Sequence, residues 1–151
     1  SVESAAYAAA VLQLFQDGPV DQMFYYIGGC GLWGIYDTYR QKRLAWYVFR
    51  AFADVARGAT RVAAPAKAGE GWYCLASKDK SGKGRIFVSA LRATGALKLA
   101  VKGGLKPVSV KAIDAAHAYA EVKGWTWDAE KGELTLARDL EENGVWLVEC
   151  E

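Results

Sequence analysis

Residues 24–37 constrain the fold of this chain more than any other stretch. Residues 24–27 form an aromatic and β-branched run without polar alternation, which predicts a strand over residues 23–27 that is buried on both faces. Four glycines around a cysteine, a leucine and a tryptophan follow, and they predict a loop. Helix, buried strand, glycine-rich loop and helix in succession are typical of a parallel α/β sheet, in which a single strand is never stable alone. We therefore expect residues 1–58 to be the closing unit of a larger fold.

Apolar residues at helical spacing predict a helix on each side of this stretch. The first covers residues 2–16, begins at Ser1 as a possible cap and ends before a glycine and a proline. The second covers residues 41–57 and ends at Gly58. Its large apolar residues surround much of its circumference, so we expect it to be covered on several sides.

From residue 59 onward the period changes from helical to alternating. Short alternating segments separated by glycine-containing turns predict an antiparallel β-sandwich over residues 59–151. The predicted strands cover residues 60–64, 72–77, 85–91, 97–101, 108–113, 118–122, 133–137 and 145–149. The predicted fold class is thus α/β plus all-β: the closing helix–strand–helix of a (β/α)8 barrel over residues 1–58, and then the sandwich. The short join between the two parts predicts a fixed interface.

Overall composition excludes several classes of protein. A net charge of +2 over 151 residues is too balanced to suggest nucleic acid binding. No apolar run approaches the roughly 20 residues of a membrane span, so no membrane partner is expected, and the cellular compartment stays open. The 3 cysteines lack metal-binding spacing and are predicted to be buried free thiols. No metal or cofactor is expected.

The candidate site residues lie on the predicted strand at residues 23–27 and in the loop that follows it. In a barrel of parallel strands, loops at the carboxyl ends of the strands form the active site. Trp33 offers a flat apolar face suited to the C–H face of a sugar ring, Tyr25 and Tyr26 add hydroxyl groups, and Gly31 allows close approach of the backbone. The alternative is that the aromatic residues are core and that Asp37 caps the turn before the second helix.

Three segments together resemble the end of a clan-A glycoside hydrolase. They are residues 4–12, residues 24–37 with the aromatic run and the glycine-rich loop, and residues 43–53 of the second helix. The nearest resemblance is to family 39, the β-xylosidase and α-L-iduronidase type, with family 51 arabinofuranosidases next. In such enzymes the last helix–strand–helix of the barrel runs directly into a β-sandwich. The resemblance covers residues 4–53 in sequence and the rest in architecture.

The resemblance implies a retaining mechanism whose catalytic residues are not in this chain. Retaining glycosidases use two glutamates about 5–5.5 Å apart, and in the family both precede the first helix found here. Glu3 lies at the start of that helix, where a carboxylate has an electrostatic reason to be. The chain is therefore expected not to be catalytic alone and to line the cleft that binds a carbohydrate substrate. A second polypeptide or a preceding segment would supply the rest of the barrel, and a homo-oligomer is possible.

Two other functions are compatible with the sequence. Trp125 and Trp127 share a strand face and would suit a non-catalytic carbohydrate-binding module, although core packing explains them as well. A purely structural interaction domain is the third reading. His117 is interpreted as a solvated loop residue, and the acidic stretch 128–133 as a hairpin turn.

Overall fold

A computed structural model describes residues 1–31, 33–65, 67–93, 95–136 and 143–151 of the chain. The described residues form two helices followed by ten strands. The helices are α1 (Val2–Phe15) and α2 (Leu44–Ala56). The strands are β1 (Ala59–Val62), β2 (Lys67–Gly69), β3 (Trp72–Asp79), β4 (Gly84–Ala90), β5 (Leu97–Ala100), β6 (Pro107–Ile113), β7 (Ala118–Glu121), β8 (Trp125–Asp128), β9 (Glu133–Leu136) and β10 (Gly144–Cys150).

The strands form two antiparallel sheets. The larger sheet has the order β1-β3-β4-β10-β6-β7, with β2 beside β3, and the smaller has the order β5-β9-β8. Alternate residues of the larger sheet enter two separate cores. Leu75, Phe87 and Leu147 pack against the helices, whereas Val88 and Val148 pack against the smaller sheet. The chain is therefore built in three layers, with the larger sheet between the helices and the smaller sheet.

The helices lie close to the sheet because their buried residues are mostly small. The inner face of α1 is formed by Ala5, Ala6 and Ala9, all fully buried, and α2 contributes Val48 and Ala51. Small side chains allow the backbones to approach closely. Apolar residues at helical spacing line the buried side of both helices, as predicted, whereas Phe15 at the end of α1 is exposed.

Two buried polar side chains join the helices to the sheet. The amide of Gln13 is fully buried; its Nε2 donates to the carbonyl of Phe87 at 2.8 Å and its Oε1 accepts from the hydroxyl of Ser89 at 2.6 Å. The hydroxyl of Ser77 donates to the carbonyl of Val55 at 2.7 Å. Buried polar groups cost free energy unless they are paired, so these contacts favour one position of the helices on the sheet.

The predicted fold class, helices followed by an antiparallel sandwich, is confirmed. The second helix begins three residues later than predicted, because Tyr36 pairs with Lys42 in an isolated bridge and Arg43 is still extended. Two strands were not predicted from the sequence: β2, which has only three residues, and β8. Ala137, the last residue of a predicted strand, lies outside the described residues.

The strand predicted at residues 23–27 is not formed in the described chain. Phe24 is 87% exposed and Tyr26 is 76% exposed, and neither belongs to a sheet. A strand that is apolar on both faces needs neighbouring strands to pair its backbone and helices to cover its faces, and the sandwich provides neither. One cysteine also departs from prediction: Cys74 and Cys150 are buried, but Cys30 is exposed.

Neither α1 nor α2 is long and apolar enough to span a membrane; this finding covers the described residues only.

Candidate functional site

The loop between the helices is folded back on itself by backbone hydrogen bonds. The amide of Ile35 donates to the carbonyl of Ile27 at 3.3 Å, and the amide of Arg43 donates to the carbonyl of Ile35 at 2.9 Å. Gly34 is required for this close approach, because a Cβ there would lie 2.1 Å from the carbonyl oxygen of Gly29. The loop therefore has a defined shape although it contains no regular strand. Leu32, part of the stretch on which the family resemblance was based, lies outside the described residues.

Arg43 braces this loop from the start of α2. Its Nη1 donates to the carbonyl of Gly31 at 2.8 Å and lies 3.5 Å from the carbonyl of Gly34. One guanidinium thus joins both ends of the tryptophan-bearing turn, and we infer that it sets the position of Trp33. Sequence reasoning missed Arg43, because nothing in the sequence around an arginine at the start of a helix indicates which backbone carbonyls its guanidinium will bind.

A cleft of about 890 Å³ opens where the loop, the first turn of each helix and the end of β4 meet. We call it the helix–loop cleft. It is lined by Ser1, Glu3, Ser4, Tyr7, Tyr25, Trp33, Gly34, Arg43, Leu44, Ala45, Leu91 and Arg92. Its volume lies within the range of small-molecule sites.

The cleft brings together two of the four predicted site residues. Trp33 lines it and is 65% exposed, so its indole face is accessible. Tyr25 lines it as well and is held by an edge-to-face contact with Phe49 of α2, with ring centroids 5.0 Å apart. Tyr26 and Gly31 are exposed but are not among the lining residues. Gly31 has φ +124°, which a residue with a side chain rarely adopts.

A salt bridge across the cleft joins the two parts of the chain. Arg92, after β4, donates from Nε and Nη2 to Oε1 of Glu3 at 2.8 and 2.6 Å. Its backbone has φ +53°, and its amide donates to Oδ1 of Asn143 at 3.0 Å. The sandwich therefore contributes to the cleft, which the sequence did not predict.

Among the described residues that line the helix–loop cleft, Glu3 is the one carboxylate, and it is paired with Arg92. Glycoside hydrolysis with retention requires two carboxyl groups, and the described lining does not contain that pair. The carboxylate of Asp37 binds the backbone of its own turn: its Oδ1 accepts hydrogen bonds from the amides of Tyr39 and Gln41 at 2.9 and 2.8 Å. The turn-capping interpretation of Asp37 is confirmed.

His117 has a carboxylate partner that the sequence reading overlooked. Its Nδ1 lies 2.8 Å from Oδ1 of Asp114, which also accepts from the backbone amides of Ala116 and His117. The turn at residues 128–133 is as predicted: Oδ1 of Asp128 accepts from two backbone amides at 3.1 Å.

With the geometry described, solved structures can be compared with this one. A glycoside hydrolase family 30 subfamily 8 xylanase from Clostridium acetobutylicum matches 100% of this chain with a TM-score of 0.78 and 15% identity. The fold of this chain is therefore similar to that of part of this xylanase. A family 30 endoxylanase from Clostridium papyrosolvens matches 99% of it with a TM-score of 0.70, also at 15% identity. The catalytic domain of a family 30 xylanase from Talaromyces cellulolyticus matches 72% with a TM-score of 0.54 and 15% identity.

The likeness covers only part of each xylanase. The chain spans 39% of the first structure, 38% of the second and 24% of the third. No protein-family profile matches the sequence, and no curated protein matches it. At this level of identity the comparison shows a shared fold.

Proposed function

We propose that this chain is the C-terminal portion, or a small subunit, of a retaining glycoside hydrolase. In this proposal residues 1–58 are the last helix–strand–helix of a (β/α)8 barrel and residues 59–151 are the attached sandwich. The chain completes the barrel and lines its sugar-binding cleft, while both catalytic glutamates belong to the part supplied by a second polypeptide or a preceding segment.

One observation carries the proposal: the segment between the helices exposes several large aromatic side chains. Phe24, Tyr26, Trp33 and Tyr39 are 87%, 76%, 65% and 83% exposed. Exposed aromatic clusters of this kind are typical of surfaces that meet other protein or ligand. If further parallel strands stood beside residues 23–27, the segment would gain the backbone pairing that the sandwich does not provide.

The sequence of residues 4–53 favours family 39 as the specific glycoside hydrolase family. The solved structures with a similar fold belong to family 30. Both are clan-A families, so either supports the same division of the chain. The names of the neighbours make xylan the first substrate to try.

Trp33→Ala tests the proposed role of the loop in the assembled enzyme. Loss of the stacking face should raise KM or lower kcat, so that kcat/KM for xylan falls about tenfold. Tyr39→Ala is the matched control, because Tyr39 is exposed to a similar degree but does not line the cleft. Unchanged kcat and KM in the Trp33 variant would remove Trp33 from the substrate site.

The alternative function, a carbohydrate-binding module with Trp125 and Trp127 as a platform, has less support. Both indoles are half-buried and pack against the second core. A flat platform needs two neighbouring ring faces that are both fully open, so the pair is poorly suited to that role, whereas a single half-open indole can still stack on one sugar ring.

A further inference from the structure

A second cleft lies on the opposite side of the larger sheet from the helices. It has a volume of about 600 Å³ and opens between β6 and β7 of the larger sheet and β8 and β9 of the smaller one. We call it the inter-sheet cleft. None of its lining residues also lines the helix–loop cleft.

The floor of the inter-sheet cleft is apolar. Val110, Ala112, Leu136 and Trp146 line it and belong to the second core. Trp125 also lines the cleft but is only half-buried, unlike the fully enclosed residues around it. The floor residues are almost fully buried, so the partly open indole of Trp125 supplies the aromatic face that a ligand with one apolar face could reach.

The rim of the cleft is polar and offers both kinds of hydrogen-bonding group. Asp114 holds the ring of His117 through Nδ1 at 2.8 Å, which leaves Nε2 as the ring nitrogen available to a ligand. Glu121 and Lys123 are exposed at the rim. Across the described ranges of the chain, neither forms a salt bridge with another residue.

We propose that the inter-sheet cleft is a second saccharide-binding site, in which Trp125 stacks on one sugar ring while His117 and Glu121 bind its hydroxyl groups. Sugar rings combine an apolar C–H face with a rim of hydroxyls that both donate and accept, and the cleft offers a surface for each. The choice of a xylan chain as ligand rests on the proposed function, but the site itself does not need the missing barrel.

The test is titration of the 151-residue chain with xylohexaose by isothermal calorimetry. We expect Trp125→Ala to raise Kd about tenfold or more and Glu121→Ala to raise it severalfold. Trp127→Ala is the matched control for the first variant, because Trp127 lies on the same strand face but does not line the cleft. Glu130→Ala, on an exposed turn, is the control for the second.

Each outcome decides the proposal. Circular dichroism melting shows whether the Trp125→Ala variant folds. If it does not fold, the comparison of Glu121→Ala with its control Glu130→Ala tests the proposal instead. Absence of binding by the wild-type chain at millimolar xylohexaose, or wild-type affinity in a folded Trp125 variant, overturns it. Binding that is lost in Trp33→Ala and kept in Trp125→Ala overturns this inference while supporting the helix–loop cleft, so the two proposals fail separately.

Discussion

The three cysteines differ in environment in a way that their spacing does not reveal. Burial raises the pKa of the Cys74 thiol to about 12 and that of Cys150 to about 11. Cys30 lies exposed in the loop between the helices. Since the thiolate is the reactive form, the two buried thiols are protected both by lack of access and by lack of ionisation.

We therefore expect one of the three thiols to react in the folded chain. At pH 8 a maleimide or disulfide reagent should modify Cys30 quickly, and the other two only after urea unfolds the protein. Cys30→Ser should remove the fast phase and leave the slow one. Rapid modification of all three thiols without denaturant would show that the second core is open, contrary to the structure.

At the scale of single residues, sequence reasoning predicted roles well where the interaction is local. Asp37 and Asp128 both cap turns within four residues of themselves, as their positions in the chain suggest. Arg43 and Arg92 act on backbone or side chains far along the chain, and no local pattern indicates such partners. Trp33 and Tyr25, which the sequence analysis proposed as site residues, both line the helix–loop cleft.

At the scale of elements, Gln13 is the main polar connection between α1 and the sheet. Besides Phe87 and Ser89 it reaches the carbonyl of Tyr73 at 3.4 Å, so one side chain contacts two strands. Gln13 is a polar residue in a helix, and the sequence does not indicate that it is buried, yet its side chain is fully buried. Its partners are on strands 60 to 76 residues away, which explains why periodicity could not predict it.

Gln13→Ala should lower the free energy of unfolding by about 1–3 kcal/mol, because it leaves buried polar groups on the sheet without a partner. Urea denaturation followed by circular dichroism measures the change. Gln16→Ala, on the exposed end of the same helix, is the control and should cost much less. Equal losses in the two variants would mean that the buried amide adds nothing beyond helix propensity.

The predicted elements divide according to what each needs in order to form. Both helices and most sandwich strands appear close to their predicted bounds, because their apolar faces find partners within residues 1–151. Residues 23–27 have the composition of a buried strand but no strand to pair with. Composition predicts which secondary structure a segment can adopt. The neighbouring strands and helices decide whether the segment adopts it.

At the scale of the whole molecule, the two faces of the larger sheet are covered, but the segment between the helices is not. The sandwich buries the inner sides of α1 and α2, so the first core is complete on that side. Four aromatic side chains of this segment, those of Phe24, Tyr26, Trp33 and Tyr39, are largely exposed. The sandwich therefore has a core of its own, and under the proposed function further strands would cover the exposed segment between the helices.

Light scattering at low concentration, combined with binding of an apolar-surface dye, tests this claim most directly. We predict that the 151-residue chain self-associates and binds the dye, and that replacing Phe24, Tyr26 and Tyr39 by serine reduces both effects without changing the melting temperature. A monodisperse monomer that binds no dye would contradict the account, since residues 1–58 would then need no further strands.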